Sequence, residues 1–479
     1  MSHVVNHRDG LLAAAHRAAT FLDERRASPV APAVSASKLR AQLDRYNFSM
    51  PRPLTEVIDE VFALLGQAAV RSDHPRYFGL FNPPALPAGI VGDLIAATVN
   101  PQLAVWSHAP AAAEIERKVL QWFGGRIGWL PHATAGTFTT GGTEANHTAV
   151  LAALAKRYPD WATRGVVAIA GRRPAIFASS EAHLAWIKIA RNAGLGSDAV
   201  HLVPAGAGMR LNADALDEAI RQNPDLEPLI VVATAGTTAH GAIDDLTGLA
   251  SVARHHGAHF HVDAAWAGGG LVNAEVRHLL AGIELADSVT IDPHKWLSVP
   301  MGAGMYLTRD WTALQTAFSA QTSYMPSTSV EHRDAYIHSL QWSRRFIGLK
   351  LFMSLATIGE QGYAAIIDRQ LALGRLLREQ LVARGWSVLN DTALPLVCFT
   401  PEAPDLRTDR MVRAIEAYVA ASGVAWLSSV ALSGRLALRV CITSYETTVD
   451  DVEDLLAVLD AARVHGPDLR GGECRTDSP

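Results

Sequence analysis

Lys295 is placed where a lysine amine could act as a nucleophile. It lies in the run TIDPHKWL (290–297), directly after an apolar strand and between His294 and Trp296. Partial removal from water favours the neutral amine, the form that attacks a carbonyl to give a Schiff base. The alternative is an ordinary surface lysine whose aliphatic stem covers apolar neighbours.

A carboxylate ends a second apolar strand, in the run HFHVDAAW (259–266). A carboxylate buried there, that of Asp263, needs a cation or a protonated nitrogen beside it. His259, His261 and Asp263 also alternate along the strand and share one of its faces, so a metal-dependent hydrolase is an alternative. No second cluster of histidines and carboxylates lies nearby in the sequence, and we therefore assign no metal.

A glycine-containing turn leads into a helix in the run TTGGTEAN (139–146). Gly141 and Gly142 allow a ligand to approach the backbone, and Thr143 adds a hydroxyl group. The helix N-terminus supplies unpaired N–H groups and the positive end of the helix dipole, which together suit a phosphate. The alternative is a plain glycine turn with a threonine cap.

A histidine follows a further short strand in the run SSEAH (179–183). Since the chain has 19 histidines, a structural role is the default for His183 when it is taken alone. A functional role for His183 is supported only when it is considered together with the other three segments.

The chain between about residue 84 and residue 309 predicts a frame that could position these segments. Short β-branched runs alternate there with helical stretches, which is typical of βαβ units and a mostly parallel sheet. Functional sites of such folds collect at strand ends, where all four segments lie. We predict strands at 166–169, 175–177, 229–232 and 288–291, and helices at 145–157 and 212–222.

The flanking regions have a different character. Helices at 11–26 and 53–70, joined by a proline-containing connection, indicate an N-terminal arm. Later elements indicate a smaller α+β domain, with helices at 362–384 and 449–462 and strands at 394–400 and 434–443. We predict three parts, namely an arm or dimerisation segment (1–84), a large domain (85–365) and a small C-terminal domain (366–479).

Composition excludes several classes of protein. The chain has 479 residues, 49% of them hydrophobic and 19% charged, with a net charge of −5 and no block of like charge, so it is globular and no nucleic-acid binder. Cys398, Cys441 and Cys474 are far apart and form no CxxC pair, which favours the cytoplasm. Charged residues interrupt 1–26, and we expect neither a signal peptide nor a membrane partner.

Taken as an ordered set, the motifs resemble the group II pyridoxal-phosphate-dependent amino-acid decarboxylases. The resemblance implies the aspartate-aminotransferase-like fold, type I among pyridoxal-phosphate enzymes, with a mostly parallel seven-stranded sheet and a small α+β domain. It also implies a homodimer in which the N-terminal arm wraps around the partner. The matching segments are TTGGTEAN, SSEAH, ATAGTTAHGAIDD, HVDAAWAG and DPHKWL, supported by HPRYFGLF (74–81), WSHAPAAAEIE (106–116) and SLQWSRRFIGLK (339–350).

The resemblance implies a role for each matching residue. Lys295 corresponds to the lysine that holds pyridoxal phosphate as a Schiff base, and Asp263 to the carboxylate paired with the pyridinium nitrogen. His183 corresponds to the imidazole stacked on one ring face, with Ala265 on the other face and Thr238 near the polar edge of the cofactor. The remaining implied cofactor contacts are Gly141, Gly142, Thr143 and His294.

Tyr324 lies in the polar stretch 320–330, which is typical of a mobile loop. In the family, a loop tyrosine near this position helps to protonate the carbon that has lost CO₂. The tyrosine therefore favours an amine product over an aldehyde. An ordinary surface tyrosine is the alternative.

Two departures from the family pattern bear on cofactor and substrate. Asp292 stands where the aromatic decarboxylases commonly have an asparagine that contacts phosphate, and a carboxylate there would repel a dianion. Leu80 and Ala104 replace aromatic rings of the substrate pocket, whereas Phe81 keeps one. The pocket is therefore expected to be apolar.

The expected function is decarboxylation of an L-amino acid with an aromatic or other apolar side chain to the corresponding amine. With the same cofactor, oxidative deamination to an aldehyde or transamination are alternatives, because loop geometry decides the outcome. A catalytically silent relative that binds the cofactor and serves as a partner subunit is a third possibility.

Overall fold

The computed structural model describes residues 7–320 and 333–465, which form two compact units. The large unit consists of described residues within 85–372 together with 390–396. The small unit contains the described residues of 1–84, 373–389 and 397–479. Residues 7–84 thus share a unit with the C-terminal elements, and the separate arm or dimerisation segment stays a prediction.

Helices and strands alternate through most of the described chain. The helices are α1 (His7–Asp23), α2 (Ala36–Leu43), α3 (Leu54–Ala68), α4 (Pro87–Val99), α5 (Pro110–Ile127), α6 (Gly142–Arg157), α7 (Trp161–Arg164), α8 (Ala185–Asn192), α9 (Ala213–Arg221), α10 (Leu246–His255), α11 (Ala274–Leu279), α12 (Trp311–Phe318), α13 (Gly348–Ala383), α14 (Asp409–Ser422) and α15 (Val449–His465). The strands are β1 (Ala135–Thr139), β2 (Pro174–Ser179), β3 (Val200–Val203), β4 (Glu227–Thr234), β5 (His259–Asp263), β6 (Ser288–Ile291), β7 (Gly304–Thr308), β8 (Trp386–Val388), β9 (Leu396–Pro401), β10 (Ser428–Leu432) and β11 (Arg435–Cys441).

The large unit is built on a seven-stranded sheet in the order β1-β7-β6-β5-β4-β2-β3. The pairs from β6 through β5, β4 and β2 to β3 are parallel, and β7 runs antiparallel to both of its neighbours. The predicted mostly parallel sheet is therefore confirmed. Because β1 has the same direction as β6, the carboxyl ends of β1, β2, β4, β5 and β6 meet at one edge of the sheet.

Burial of the central strands explains their continuous apolar runs. Ile230, Val231 and Val232 of β4 are fully buried, as expected for a parallel strand that is covered on both faces by helices. On one face, Trp186 of α8 and Ala149 of α6 belong to the same apolar cluster as this strand. The strand β5, which ends at Asp263, is held between β4 and β6.

One predicted strand is wrong. Residues 166–169 lie in a 3₁₀ turn, Gly165–Ile169, and are not part of the sheet. Val166 and Val167 are 52% and 57% exposed, and only Ile169 of this run is buried. β-branched residues favour strands only where a sheet offers a neighbour to pack against. Residues 166–169 have no such neighbour.

The small unit contains a four-stranded sheet in the order β10-β11-β9-β8. Its core includes Phe78 from the N-terminal region together with Trp386, Phe399 and Leu456. The ring of Tyr77 stacks on Trp426 with centroids 5.2 Å apart, which fixes the N-terminal segment to this unit.

Two further observations concern membrane-spanning helices and the cysteines. No helix within residues 7–320 and 333–465 is long and apolar enough to cross a membrane. Cys398 and Cys441 are buried free thiols, and burial raises the pKa of Cys398 to about 12. Cys474 lies outside the described residues.

Candidate active site

The turn after β6 presents Lys295 at the carboxyl edge of the large sheet. The Lys295 N–H donates to the Asp292 carbonyl oxygen at 2.9 Å, which closes the turn, and Lys295 Nζ lies 2.9 Å from Asp292 Oδ2. The lysine side chain is 25% exposed, whereas the Asp292 side chain is only 3% exposed. The amine is thus oriented by a buried carboxylate and remains accessible from solvent.

Asp263 occupies the end of the neighbouring strand β5 and is buried. Its Oδ2 accepts a hydrogen bond from Asn146 Nδ2 at 2.8 Å, and its Oδ1 accepts one from the Ala265 N–H at 3.2 Å. Burial raises the pKa of Asp263, and the nearby Lys295 opposes that shift. A cation placed against this carboxylate would favour its ionised form.

Asn146 connects Asp263 to a buried polar chain behind it. Its Oδ1 accepts from His261 Nε2 at 3.0 Å, and the Ser288 hydroxyl lies 2.8 Å from His261 Nδ1 and 2.7 Å from His259 Nε2. Burial lowers the pKa of His261 well below its usual range, so the ring is neutral. Sequence reasoning missed Asn146, although it ends the TTGGTEAN motif.

These contacts bear on the metal-dependent alternative. The nitrogens of His259 and His261 that face Ser288 and Asn146 are engaged in hydrogen bonds. Across the part of the chain that the structure describes, no group of three or more His, Cys, Asp or Glu side chains converges as metal ligands.

The glycine turn, defined as Gly141, Gly142 and Thr143, follows β1 at the same edge of the sheet. A Cβ atom added to Gly142 would lie 2.8 Å from Asp292 Oδ2, and one added to Gly141 would lie 3.3 Å from His294 Cε1. Gly142 therefore packs against the Asp292 carboxylate and Gly141 against the His294 ring, and a larger residue at Gly142 would clash with the carboxylate. Thr143 is exposed.

Gly304 at the start of β7 supports the glycine turn from behind, and sequence reasoning missed it. A Cβ atom there would lie 2.7 Å from the backbone of Gly141. His294 is 7% exposed, and its Nδ1 accepts a hydrogen bond from the Ala303 N–H at 3.1 Å. Burial lowers the pKa of His294. The ring is thus fixed as a neutral group beside Gly141.

His183 follows β2 at the same edge and is exposed. Its Nδ1 accepts a hydrogen bond from the Ala185 N–H at 3.1 Å, which sets the ring orientation. Thr238, after β4, is likewise exposed, and Ala265 is half-buried. The predicted ring-stacking and edge-contact residues thus follow β2, β4 and β5.

The predicted substrate-pocket residues divide between the two units. Leu80 is 47% exposed and Phe81 is 8% exposed, and both belong to the small unit. Ala104, in the large unit, is fully buried in a cluster with Val105 and Tyr336. Tyr324 lies outside the described residues. The pocket assignments and the loop tyrosine stay predictions.

The residues present fit pyridoxal phosphate. The buried Asp263 carboxylate suits a protonated ring nitrogen, Lys295 offers an accessible amine, and the glycine turn offers N–H groups to a phosphate. Asp292 is the exception, because its Oδ1 is buried without a partner among the described residues and its Oδ2 lies against Gly142.

Comparison with known proteins agrees with a pyridoxal-phosphate site. A family model described as the pyridoxal-dependent decarboxylase conserved domain matches residues 37–401. The chain is 34% identical over 346 residues to cysteine sulfinic acid decarboxylase of Mus musculus, with 71% of this chain and 69% of that protein covered. It is 33% identical over 429 residues to L-2,4-diaminobutyrate decarboxylase of Rhizobium meliloti, with 86% and 84% covered.

A solved structure extends the comparison to three dimensions. The crystal structure of Oryza sativa TDC with PLP and tryptamine matches with a TM-score of 0.90 and 26% identity. The match covers 97% of this chain and 99% of that chain.

Proposed function

The chain belongs to the pyridoxal-dependent decarboxylase family, and from that premise we propose that it converts an L-amino acid with an aromatic or other apolar side chain into the corresponding amine. It is a carboxy-lyase that acts on an amino acid and depends on pyridoxal phosphate. When bound, the cofactor supplies an aldehyde for Schiff-base formation and a ring that accepts the electron pair left by departing CO₂.

One observation carries the proposal most directly: Lys295 presents an accessible amine at the carboxyl edge of the sheet, 2.9 Å from a buried carboxylate. We assign the cofactor Schiff base to Lys295. Asp292 positions the amine by its ion pair, so that Lys295 would hold the cofactor aldehyde when no substrate is bound. When it does not hold the cofactor, the lysine amine would stay at the site and could hold a proton.

Asp263 is assigned to the pyridinium nitrogen. Its carboxylate is buried, is held by two hydrogen bonds and is backed by the neutral chain of Asn146, His261 and Ser288. An ionised carboxylate fixed in this way keeps a proton on a nitrogen placed against it, and a protonated ring withdraws electrons better than a neutral one.

The remaining cofactor contacts are assigned by position at the sheet edge. The glycine turn would hold the phosphate with the N–H groups of α6, beside His294. His183 would contact one face of the ring and Ala265 the other, and Thr238 would lie near the polar edge of the cofactor. These assignments rest on the strand ends from which the side chains project.

The choice of an apolar substrate rests on the family resemblance, which assigns Leu80, Phe81 and Ala104 to the substrate pocket. A pocket with apolar walls disfavours a charged side chain, because the charge would lose hydration without gaining a partner. The relatives act on chemically different amino acids, since their names specify cysteine sulfinic acid, 2,4-diaminobutyrate and tryptophan. Family membership alone therefore leaves the side chain open.

The test is a panel of L-amino acids supplied to the holoenzyme, with released CO₂ and product measured together. Tryptophan, tyrosine, phenylalanine and leucine represent the proposed class, and cysteine sulfinate, 2,4-diaminobutyrate and glutamate represent charged side chains. We expect kcat/KM to be highest for a member of the first group. Preference for a charged member would refute the apolar pocket and leave the decarboxylase assignment intact.

The same assay decides the fate of the product. We propose that Tyr324 favours protonation and hence amine release, and Tyr324→Phe should shift product toward aldehyde, ammonia and peroxide. Aldehyde as the main product of the unchanged enzyme would favour oxidative deamination. A keto acid formed without CO₂ would favour transamination.

We further propose a cytoplasmic homodimer. The helix α4 supports the dimer, because five of its aliphatic side chains are at least 36% exposed: Ile90, Val91, Leu94, Ile95 and Val99. Sedimentation equilibrium should give twice the chain mass, and Leu94→Glu should give a monomer. Leu130→Glu, a change at a 64% exposed leucine outside α4, is the matched control. A monomer of the unchanged protein at all concentrations would refute the proposal.

A further inference from the structure

A buried hydrogen-bond chain leads away from Asp263 inside the large unit. Asn146 Nδ2 lies 2.8 Å from Asp263 Oδ2, and Asn146 Oδ1 lies 3.0 Å from His261 Nε2. Ser288 Oγ lies 2.8 Å from His261 Nδ1 and 2.7 Å from His259 Nε2. The hydrogen-bond chain thus joins the last residue of β5, Asp263, to its first residue, His259.

Both imidazole rings of the hydrogen-bond chain are neutral. His261 is fully buried, and burial lowers its pKa well below the usual range. Burial also lowers the pKa of His259 to about 4. Asp287 and Asp310 oppose that shift, and Lys156 adds to it. Each neutral ring has one N–H donor and one accepting nitrogen, and the partners of the ring decide which nitrogen carries the proton.

An ionised Asp263 fixes the direction of every hydrogen bond in this set. A carboxylate only accepts, so the Asn146 amide N–H donates to it and the Asn146 oxygen accepts from His261 Nε2. His261 Nδ1 is then the accepting nitrogen, and the Ser288 hydroxyl donates to it. The Ser288 oxygen in turn accepts from His259 Nε2. All the donated protons point toward the carboxylate, which stabilises its charge.

A proton on Asp263 Oδ2 would reverse this direction. The carboxyl O–H would donate to Asn146, and each later donor would turn round until His259 carried its proton on Nδ1. That nitrogen is buried and has no hydrogen-bond partner among the described residues. The ionised state leaves an unused lone pair there, whereas the protonated state would leave a buried N–H without an acceptor, which is rarer and costlier. The His259 end of the hydrogen-bond chain therefore disfavours a protonated Asp263.

Two other hydroxyl groups lie beside these side chains. Thr290 Oγ1 is 3.4 Å from His261 Nε2, a longer contact than the 3.0 Å bond from that nitrogen to Asn146. Burial raises the pKa of Tyr306, which lies near Ser288, so its side chain is a neutral phenol. A neutral phenol is a weaker acceptor than an imidazole nitrogen. The Ser288 hydroxyl therefore donates to His261.

We propose that Ser288 and His259 are positioning residues for the decarboxylation, because they set the direction of the hydrogen-bond chain and so hold Asp263 as a carboxylate. The proposal rests on the function proposed above, in which Asp263 pairs with the protonated ring nitrogen of the cofactor. Ser288 is fully buried at the beginning of β6. It acts on Asp263 only through His261 and Asn146.

Direct observation of the imidazole protons tests the direction of the hydrogen-bond chain. The protein is labelled with ¹⁵N in its histidine rings, and ¹⁵N NMR of the holoenzyme distinguishes ring nitrogens that carry a proton from those that do not. His259→Gln and His261→Gln each remove the signals of one ring and thereby assign them. We expect the proton on Nε2 of both rings. A proton on Nδ1 of either ring would overturn the proposal.

Discrimination between two cofactor analogues tests the effect on Asp263. The cofactor-free protein is titrated calorimetrically with pyridoxal phosphate and with the analogue in which a C–H group replaces the ring nitrogen. The ratio of the two Kd values reports the interaction of that nitrogen with Asp263, because a general loosening of the site weakens both ligands alike. We expect Ser288→Ala to reduce the preference for pyridoxal phosphate about tenfold, the effect of about one charge-assisted hydrogen bond.

The matched control is Ser354→Ala. Ser354 is as fully buried as Ser288, and its hydroxyl donates to the Lys350 carbonyl oxygen at 2.9 Å, outside the hydrogen-bond chain. The preference for pyridoxal phosphate should be unchanged in this variant. The proposal is overturned if Ser288→Ala keeps the full preference, or if both serine variants lose it equally. Where Ser288→Ala fails to fold, the NMR measurement on the unchanged enzyme decides the question.

Neither measurement requires turnover, so the two proposals fail in different ways. A holoenzyme that releases no CO₂ from any amino acid would refute the proposed function. Failure of the present proposal would leave decarboxylation by the unchanged enzyme intact.

Discussion

Replacing Asp292 by asparagine should strengthen cofactor binding. The Asp292 side chain is 3% exposed, and its Oδ2 would lie 2.8 Å from a Cβ atom added to Gly142. The carboxylate therefore borders the space proposed for a phosphate. Asp292→Asn removes the negative charge, preserves the shape of the side chain and keeps an oxygen that can accept from Lys295.

The magnitude follows from the charge of Asp292 and that of a phosphate bound at the glycine turn. Two unit charges about 5 Å apart repel by about 3 kcal/mol at an effective dielectric constant of about 20. The ammonium group of Lys295, 2.9 Å from Asp292 Oδ2, offsets much of this repulsion. A residual of about 1 kcal/mol corresponds to roughly a fivefold lower Kd for pyridoxal phosphate in the variant.

The assay is a spectroscopic titration of the apoprotein with pyridoxal phosphate and, in parallel, with pyridoxal. Asp292→Asn should increase the affinity for pyridoxal phosphate and not that for pyridoxal, because only the phosphate carries the charge that Asp292 repels. Asp310→Asn is the matched control, since Asp310 also pairs with a lysine, Lys156, at 2.9 Å but lies outside the site. Weaker binding of pyridoxal phosphate by Asp292→Asn, or an equal gain for pyridoxal, would refute the reasoning.

Three other outcomes are expected. Asp263→Asn should bind the cofactor but lower kcat at least about 100-fold, because it removes the preorganised charge; near-normal turnover would contradict its assignment. Asn146→Ala removes one hydrogen-bond partner each from Asp263 and His261. It should lower the free energy of unfolding, measured in urea, by about 1–3 kcal/mol. An unchanged midpoint of urea unfolding would show that these hydrogen bonds do not stabilise the fold. Burial lowers the pKa of His74 to about 4 from 6.5, so the unfolded chain binds its proton first as pH falls. The free energy of unfolding should therefore decrease between about pH 6.5 and 4, and His74→Gln should flatten that slope.

Sequence reasoning succeeded where local patterns determine position. Lys295, Asp263 and His183 each follow a short apolar run that folds as β6, β5 or β2, and parallel strands bring their carboxyl ends to one edge. The local patterns therefore located these residues at one edge of the sheet, and their roles in a common site stay predictions. The glycine turn was recognisable because it combines a strand, two glycines and a helix start.

The parts that could not be predicted depend on contacts between distant residues. Gly304 supports Gly141 across the sheet, and Asn146 reaches Asp263 from the first turns of α6. Neither position has a local signal that distinguishes it from an ordinary glycine or asparagine. The strand predicted at 166–169 was wrong for the opposite reason. Its residues have a strong local preference for a strand, but no strand of the sheet lies beside them.

The most direct test of the central claim is to locate the Schiff base. The holoenzyme is reduced with borohydride and digested, and the pyridoxyl-bearing peptide is mapped by mass spectrometry. We predict a single modified lysine, Lys295, with loss of the visible absorbance band in Lys295→Ala and its retention in Lys156→Ala. A pyridoxyl group on another lysine, or full activity of Lys295→Ala, would contradict the account.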